Sequence, residues 1–234
     1  LASLVEVLCA LPEVRRLRLS SLEPREVSPA LVRYVQAGGQ ALAAAAAPGP
    51  GKVCRHLHIP LQSGCDAVLQ RMNRPYTCSF YAELLGRLHR LQPLAGLGAD
   101  VIVGFPGETR AQFDETYAFV EQLPLSYLHV FTYSPRPGTP AAAMPDQIAP
   151  EEKLRRNHLL RALSERKRIA FAEAMVGQQL EAVLQEESGP GTLSGITDNY
   201  LEITVRSGAH RLRDIVRCVV TAAADGKLVG ELLV

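Results

Sequence analysis

Residues 100–109 read DVIVGFPGET. Val101, Ile102 and Val103 make the continuous apolar run of a buried strand, and Gly104-Phe105-Pro106-Gly107 stops it sharply. Beyond the stop, Thr109, Phe113, Tyr117 and Val120 recur at helical spacing. The unit reads as strand, loop, helix. In an α/β fold the loop at the carboxyl end of such a strand is where chemistry sits. Gly104 and Gly107 carry no side chains, so the backbone amides there can approach a ligand closely. Pro106 holds the corner, and Glu108 and Thr109 are placed to cap the helix that follows.

The same pattern repeats outward from this unit. Upstream, Arg16–Ser21 alternates as a strand and ends at Leu22-Glu23-Pro24, after which Ser28 and Pro29 open a helix to about Gln36. Cys54–Leu61 reads as a second strand, ended by Gln62-Ser63-Gly64 and followed by helices over 66–72 and 79–91. Downstream come a helix over about 110–122 and a strand over Tyr127–Thr132. Four alternations of strand and helix predict a mainly parallel sheet with right-handed crossovers. Each strand ends in a polar corner bearing Gly or Pro: SSLEP, PLQSG, GFPGET and YSPRPGTP. Lying along one edge, these corners would bring Glu23, Gln62, Glu108 and Arg136 to one surface.

Tyr133–Pro150 is proline-rich and reads as an ordered linker. Residues 151–175 then read as one long helix, with Leu154, His158, Leu159, Ala162 and Ile169 as its apolar stripe. Arg155, Arg156, Arg161, Arg166, Lys167 and Arg168 form a cationic face that a phosphate backbone could cover. From Val176 the texture changes to short strands with no helix between them, as in a small closed OB-like barrel. The expected domains are therefore residues 1–150, a connecting helix over 151–175, and residues 176–234. The tract AGGQALAAAAAPGPGK, residues 37–52, reads as a surface insertion.

Composition narrows the function classes. The chain has 234 residues, 47% hydrophobic and 21% charged, which is ordinary for a soluble globular protein. A net charge of +1 gives no global drive toward nucleic acid, leaving only local basic runs. No apolar stretch is long enough to span a membrane. Five cysteines without metal-type spacing read as free thiols. His56 and His58 share a strand face as a metal pair would, yet no third ligand is in reach of sequence spacing; they and His129 read as hydrogen-bonding residues of a barrel interior, with no metal. The chain begins with Leu1 inside an amphipathic pattern, as a fragment would.

Three strings, HLHIPLQSGCDAVLQRMNRPYT at 56–77, ADVIVGFPGET at 99–109 and HVFTYSPRPGTPAAAMPDQI at 129–148, occur in order at sensible spacing. In these the chain resembles the radical S-adenosylmethionine methylthiotransferases, which modify tRNA or a ribosomal protein. The segment ITDNYLEITV at 196–205 resembles the branch acting on threonylcarbamoyladenosine beside the anticodon. The resemblance implies a partial radical S-adenosylmethionine (β/α) barrel, the last four of six strands, followed by a small all-β OB-like TRAM barrel that presents RNA. Such enzymes carry two [4Fe-4S] clusters; their N-terminal cysteines and the CxxxCxxC loop have no counterpart here, so the chain alone is expected to be inactive.

By the same resemblance, Glu23, Gln62, Arg74, Asp100 and Gly104 are expected to contact S-adenosylmethionine. Arginine suits its carboxylate, and carboxylates suit its ammonium and ribose hydroxyls. Tyr133 and Arg136 are expected as a substrate-side wall. Tyr200, with Arg206, Arg211, Arg213 and Arg217, is expected to stack on a splayed base and neutralise phosphate. The expected partners are the tRNA anticodon stem-loop and an external electron donor, in a cytoplasmic enzyme that is monomeric when complete. Two alternatives stay open: a ribosomal-protein aspartate methylthiotransferase fragment, and a non-catalytic RNA-binding remnant.

Overall fold

The computed structural model describes residues 1–41 and 50–233. Half of the tract expected as an insertion, 42–49, lies outside the described residues. The first part contains α1 (Ala2–Ala10), β1 (Leu17–Leu19), α2 (Pro29–Ala41), β2 (Val53–His58), α3 (Asp66–Arg71), α4 (Cys78–Leu91), β3 (Gly96–Val103), α5 (Arg110–Gln122) and β4 (Tyr127–Thr132). The four strands form one sheet in the order β1-β2-β3-β4, and every pairing is parallel. All four carboxyl ends therefore share one edge.

Strand alternation divides the sheet into two unlike faces. Leu19, Val53, Leu57, Ile59, Leu97, Ala99, Val101, Val103 and Leu128 pack with Leu31, Tyr81, Leu85 and Phe113 of the helices in a single core. Burying each such leucine contributes roughly 1.5–3 kcal/mol. The intervening positions, Arg16, Arg18, His56, His58, Gly98, Asp100, Tyr127, His129 and Phe131, occupy the other, concave face, which is polar and aromatic. Gly98 is what lets Tyr127 lie there, since a Cβ at 98 would stand 2.2 Å from the tyrosine ring.

Several boundaries differ from expectation, and β2 stops at His58 rather than Leu61. β1 keeps only three residues of the six expected. α2 runs past Gln36 to Ala41, because Gly38 lets the helix backbone close on β2: a Cβ at 38 would meet the Val53 carbonyl at 2.0 Å.

The long helix α6 (Pro150–Glu173) buries a different stripe from the one its sequence suggests. Leu154 and Leu159 are exposed, and Arg156, Leu160, Leu163 and Ala172 are buried. Arg156 can sit inside because Glu108 and Glu152 each accept from it at 2.7 Å. Much of the cationic face is also engaged within the protein. Lys167 donates to the carbonyls of Glu121 and Leu123 where α5 ends, Arg166 to the Tyr117 hydroxyl, Arg155 to Glu152, and Arg168 to Asp225, Gly226 and Glu165. The helix is a strut between the two parts of the molecule.

Beyond it, β5 (Gln179–Gly189), β6 (Thr192–Thr197), β7 (Glu202–Arg206), β8 (Ile215–Ala224) and β9 (Lys227–Leu232) close into a barrel of order β5-β6-β7-β9-β8. Only the β7–β9 pairing is parallel. Its core is Leu180, Ala182, Leu184, Ile203, Val205, Val216, Cys218 and Leu228, closed at one end by Ala172 and Met175 as α6 gives way to the barrel. Among the described residues no helix is long and apolar enough to cross a membrane.

Candidate functional site

The carboxyl edge of the sheet collects polar groups from three loops. Arg74, behind α3, approaches Glu23, behind β1, at 3.3 Å. Gln62 follows β2 at φ 70 and bridges the Val101 position of β3. Its amide donates to the Asp100 carbonyl and its carbonyl accepts from the Ile102 amide, so β2 and β3 are stitched together beyond the regular strand. Its side-chain Oε1 is buried without a partner, as are Arg74 Nε, Arg71 Nε and the Tyr133 hydroxyl. Unpaired buried polar atoms cost free energy. A polar ligand at this rim could satisfy several of them at once.

Tyr133 is set there by a second layer. Phe105 meets its ring at 5.4 Å, Lys153 lies over it at 5.1 Å, and Met72, Ala141 and Met144 pack beside them. The proline-rich segment after β4 thus packs against this cluster, and the Asp146 backbone carbonyl accepts from the Gly107 amide.

The GFPGET loop works differently from expectation. Gly104 does turn at φ 73, but the space its missing side chain leaves is taken by the Lys153 side chain, 2.4 Å from where a Cβ would lie, and its amide donates to Glu108 at 2.6 Å. Its openness serves the approach of α6. Glu108 is fully buried and does not cap α5; Thr109 does, in a reciprocal capping box with Gln112. Burial pushes the Glu108 carboxyl up, opposed by the Gly104 amide and Arg156.

Below the rim, on the concave face, Asp100 lies within β3 opposite His129. Its Oδ1 lies 2.9 Å from His58 Nε2 and 3.4 Å from His129 Nδ1. Spacing along one strand could not reveal this group; the register that sets Asp100 opposite His129 creates it. His56 is separate. It pairs with the Tyr127 hydroxyl at 2.9 Å, and burial, with Arg18 nearby, pushes it down to about 3, so the ring is neutral. The expectation that these histidines serve as interior hydrogen-bonding residues fits His56 and His58, both buried and hydrogen-bonded, whereas His129 is half-exposed beside Asp100.

At the opposite, amino-terminal edge the small barrel docks. Tyr200, held at φ 75 between β6 and β7, places its ring 4.5 Å from His56 and 5.4 Å from Tyr127, beneath Arg18 at 5.0 Å. Its ring is thus engaged with the sheet. Arg213 lies on another loop, between β7 and β8, exposed at φ 74. Arg136 is exposed on the loop after β4, and Arg217 lies 3.7 Å from Glu181. Sequence reading missed the docking residues Arg16, Arg18, Arg55 and Asn199. The alternating Arg16-Leu17-Arg18-Leu19 was their visible signal, one charged face opposite one apolar face.

The rim suits S-adenosylmethionine: adjacent Arg74 and Glu23 complement a zwitterionic amino-acid end, and Gln62 and Tyr133 offer unpaired atoms. An iron–sulfur cluster does not fit this chain. Among the described residues no three thiols converge, and Cys9, Cys54, Cys65, Cys78 and Cys218 lie on separate elements or loops.

No family model matches the chain. Over 214 residues it is 36% identical to the threonylcarbamoyladenosine tRNA methylthiotransferase MtaB of Bacillus subtilis, covering 90% of this chain and 45% of that one. It is 35% identical over 235 residues to the tRNA-2-methylthio-N(6)-dimethylallyladenosine synthase of Methylobacillus flagellatus, covering 100% of this chain and 50% of that one. The MtaB of Aquifex aeolicus is 32% identical over 94% of this chain and 49% of its own. A solved chain of Escherichia coli coproporphyrinogen III oxidase, titled a radical SAM enzyme, matches 67% of this chain and 31% of its own at 21% identity and a TM-score of 0.45, too low to carry an argument. The chain spans about half the length of the curated relatives it matches. The identity runs through sheet, strut and barrel alike, so that along nearly its whole length the chain is similar to tRNA methylthiotransferases.

Proposed function

We propose that this chain supplies the S-adenosylmethionine rim and the RNA-presenting barrel of an enzyme that methylthiolates C2 of N6-threonylcarbamoyladenosine next to the tRNA anticodon. The observation that carries this reading is the 36% identity to a protein named for that reaction, along 90% of the chain. The rim supports it. In this reading Arg74 holds the cofactor's carboxylate, Glu23 its ammonium, and Gln62 accepts from a ribose or amino hydrogen through its unpaired Oε1. When bound, one S-adenosylmethionine would supply radical chemistry on one-electron reduction by an iron–sulfur cluster, leaving methionine, and a second would supply the methyl group, leaving S-adenosylhomocysteine. Tyr133 and Arg136 stand on the substrate side of the rim and position the base. The proline-rich segment behind them keeps water from the reacting carbon.

The barrel β5–β9 is read as a TRAM module, with Arg213 available to phosphate. Tyr200 is read as part of the docking contact rather than as a base-stacking ring. The tRNA anticodon stem-loop is the proposed partner and the cytoplasm the proposed compartment. Iron–sulfur chemistry and its electron donor are assigned to no residue of this chain.

A second reading, a dimethylallyladenosine substrate, is favoured by the 35% identity to the Methylobacillus flagellatus protein along the whole chain. Deleting the gene and analysing tRNA nucleosides by mass spectrometry separates the two. The expected result is loss of 2-methylthio-N6-threonylcarbamoyladenosine with accumulation of its unthiolated precursor. Loss of the dimethylallyl derivative instead establishes the second reading, and an unchanged nucleoside profile defeats both.

A further inference from the structure

His58 on β2, Asp100 on β3 and His129 on β4 bring two imidazoles and a carboxylate together on the concave face of the sheet. One nitrogen or oxygen from each lies within 4.8 Å of the others. We propose that these three residues form a binding site for a divalent first-row transition metal, with coordination positions left open toward the concave side.

The argument begins with distances. A metal bonded to nitrogen and oxygen at about 2.1 Å sets its ligand atoms about 3.0 Å apart at right angles, about 3.4 Å apart at tetrahedral angles, and at most about 4.2 Å apart. Asp100 Oδ1 is 2.9 Å from His58 Nε2 and 3.4 Å from His129 Nδ1, both in that range. The third edge, between the imidazole nitrogens, is at most 4.8 Å and needs to close by at most about 1.4 Å to reach the tetrahedral value. That movement falls to His129, whose side chain is 47% exposed, its ring resting on His58 at 4.9 Å and on Tyr127 at 5.2 Å.

The surroundings agree. The backbone positions are fixed by the parallel ladder, in which Asp100 and His129 are register partners and His58 pairs with Gly98 two residues before Asp100. His58 is wedged at right angles to Tyr127, which holds the orientation of its ring. Asp100 is a fifth exposed, so the site is walled on the His58 side and open toward the concavity. Two imidazoles and one carboxylate suit zinc or ferrous iron rather than calcium or magnesium, and three protein ligands leave room for water or an oxygen of a bound molecule. The proposal uses the side chains of His58, Asp100 and His129 alone and does not depend on the reading of the rim.

The test uses the untagged full chain, titrated with Co(II) alone and then with Zn(II). One Co(II) per chain is expected, with the weak visible bands of nitrogen and oxygen ligation, displaced stoichiometrically by Zn(II). Asp100→Asn and His129→Gln should each weaken Co(II) binding at least tenfold. His89→Gln, on exposed α4, should leave it unchanged. His129→Gln is the key variant, because a half-exposed side chain can be replaced without loss of fold, which circular dichroism verifies. No stoichiometric uptake, affinity in both triad variants unchanged from the parent, or an intense thiolate charge-transfer band would each overturn the proposal.

Discussion

At Gly98 a single hydrogen atom decides what the concave face can hold. A side chain there would drive into the Tyr127 ring, which hydrogen-bonds His56 and stacks beside Tyr200. Gly98→Ala should therefore destabilise the protein by about 1–3 kcal/mol, as overpacking does, read from the urea midpoint. The double variant Gly98→Ala/Tyr127→Ala should lose less than the sum of the two single changes, because the second substitution removes the clash created by the first. Strict additivity would mean that Gly98 matters only through strand backbone freedom. The glycines of GFPGET announced themselves in the sequence as a corner. The structural use of Gly98, hidden within an ordinary strand, depended on a partner strand some thirty residues away and left no local trace.

Among the elements, strands and short helices were legible because alternation and capping are local: Thr109 with Gln112 marks the start of α5 in the sequence itself. Helix α6 was misread because its buried face carries an arginine. Periodicity treats Arg156 as solvent-facing, and only the arrival of Glu108 from the rim loop and Glu152 from the first turn makes its burial tolerable. The same cluster gives α6 a pH dependence. Hydrogen bonds from Arg155 and Arg156 hold the Glu152 carboxyl down at about 2, well below its ordinary range. On acidification the unfolded chain takes up this proton first. The stabilisation is thus complete above about pH 4.3 and is lost as pH falls toward about 2. Glu152→Gln should be less stable than the parent at pH 6, with the gap narrowing below pH 4 and vanishing near pH 2. Urea midpoints measured down that series check it, and a gap constant with pH would assign the effect to packing.

For the molecule as a whole, the question is why a small barrel should be held rigidly against the sheet at all. If the barrel carries RNA and the rim carries the reactive cofactor, a loose joint would let the two miss each other by several ångströms. The joint is built against that. Arg55 and Asp198 form a buried, two-pronged ion pair, Arg16 pairs with Glu181, Arg18 donates to the Thr197 carbonyl at 2.7 Å, and Asn199 donates to the Leu94 carbonyl at 3.1 Å. Gly96 lets this loop close in, since a Cβ there would meet the Asn199 carbonyl at 2.1 Å. The contacts come from residues 16–18, 55 and 94–96 on one side and 181 and 197–200 on the other, so the joint could not be inferred from either segment alone. Removing one partner of a buried pair strands the other charge, at a cost of about 3–5 kcal/mol. Asp198→Ala should therefore uncouple the two parts, turning one cooperative calorimetric transition into two and exposing the segment around Met175–Gln179 to protease. A single transition at an unchanged temperature would show that the strut α6 alone fixes the barrel, and that the aromatic contact of Tyr200 is incidental to it.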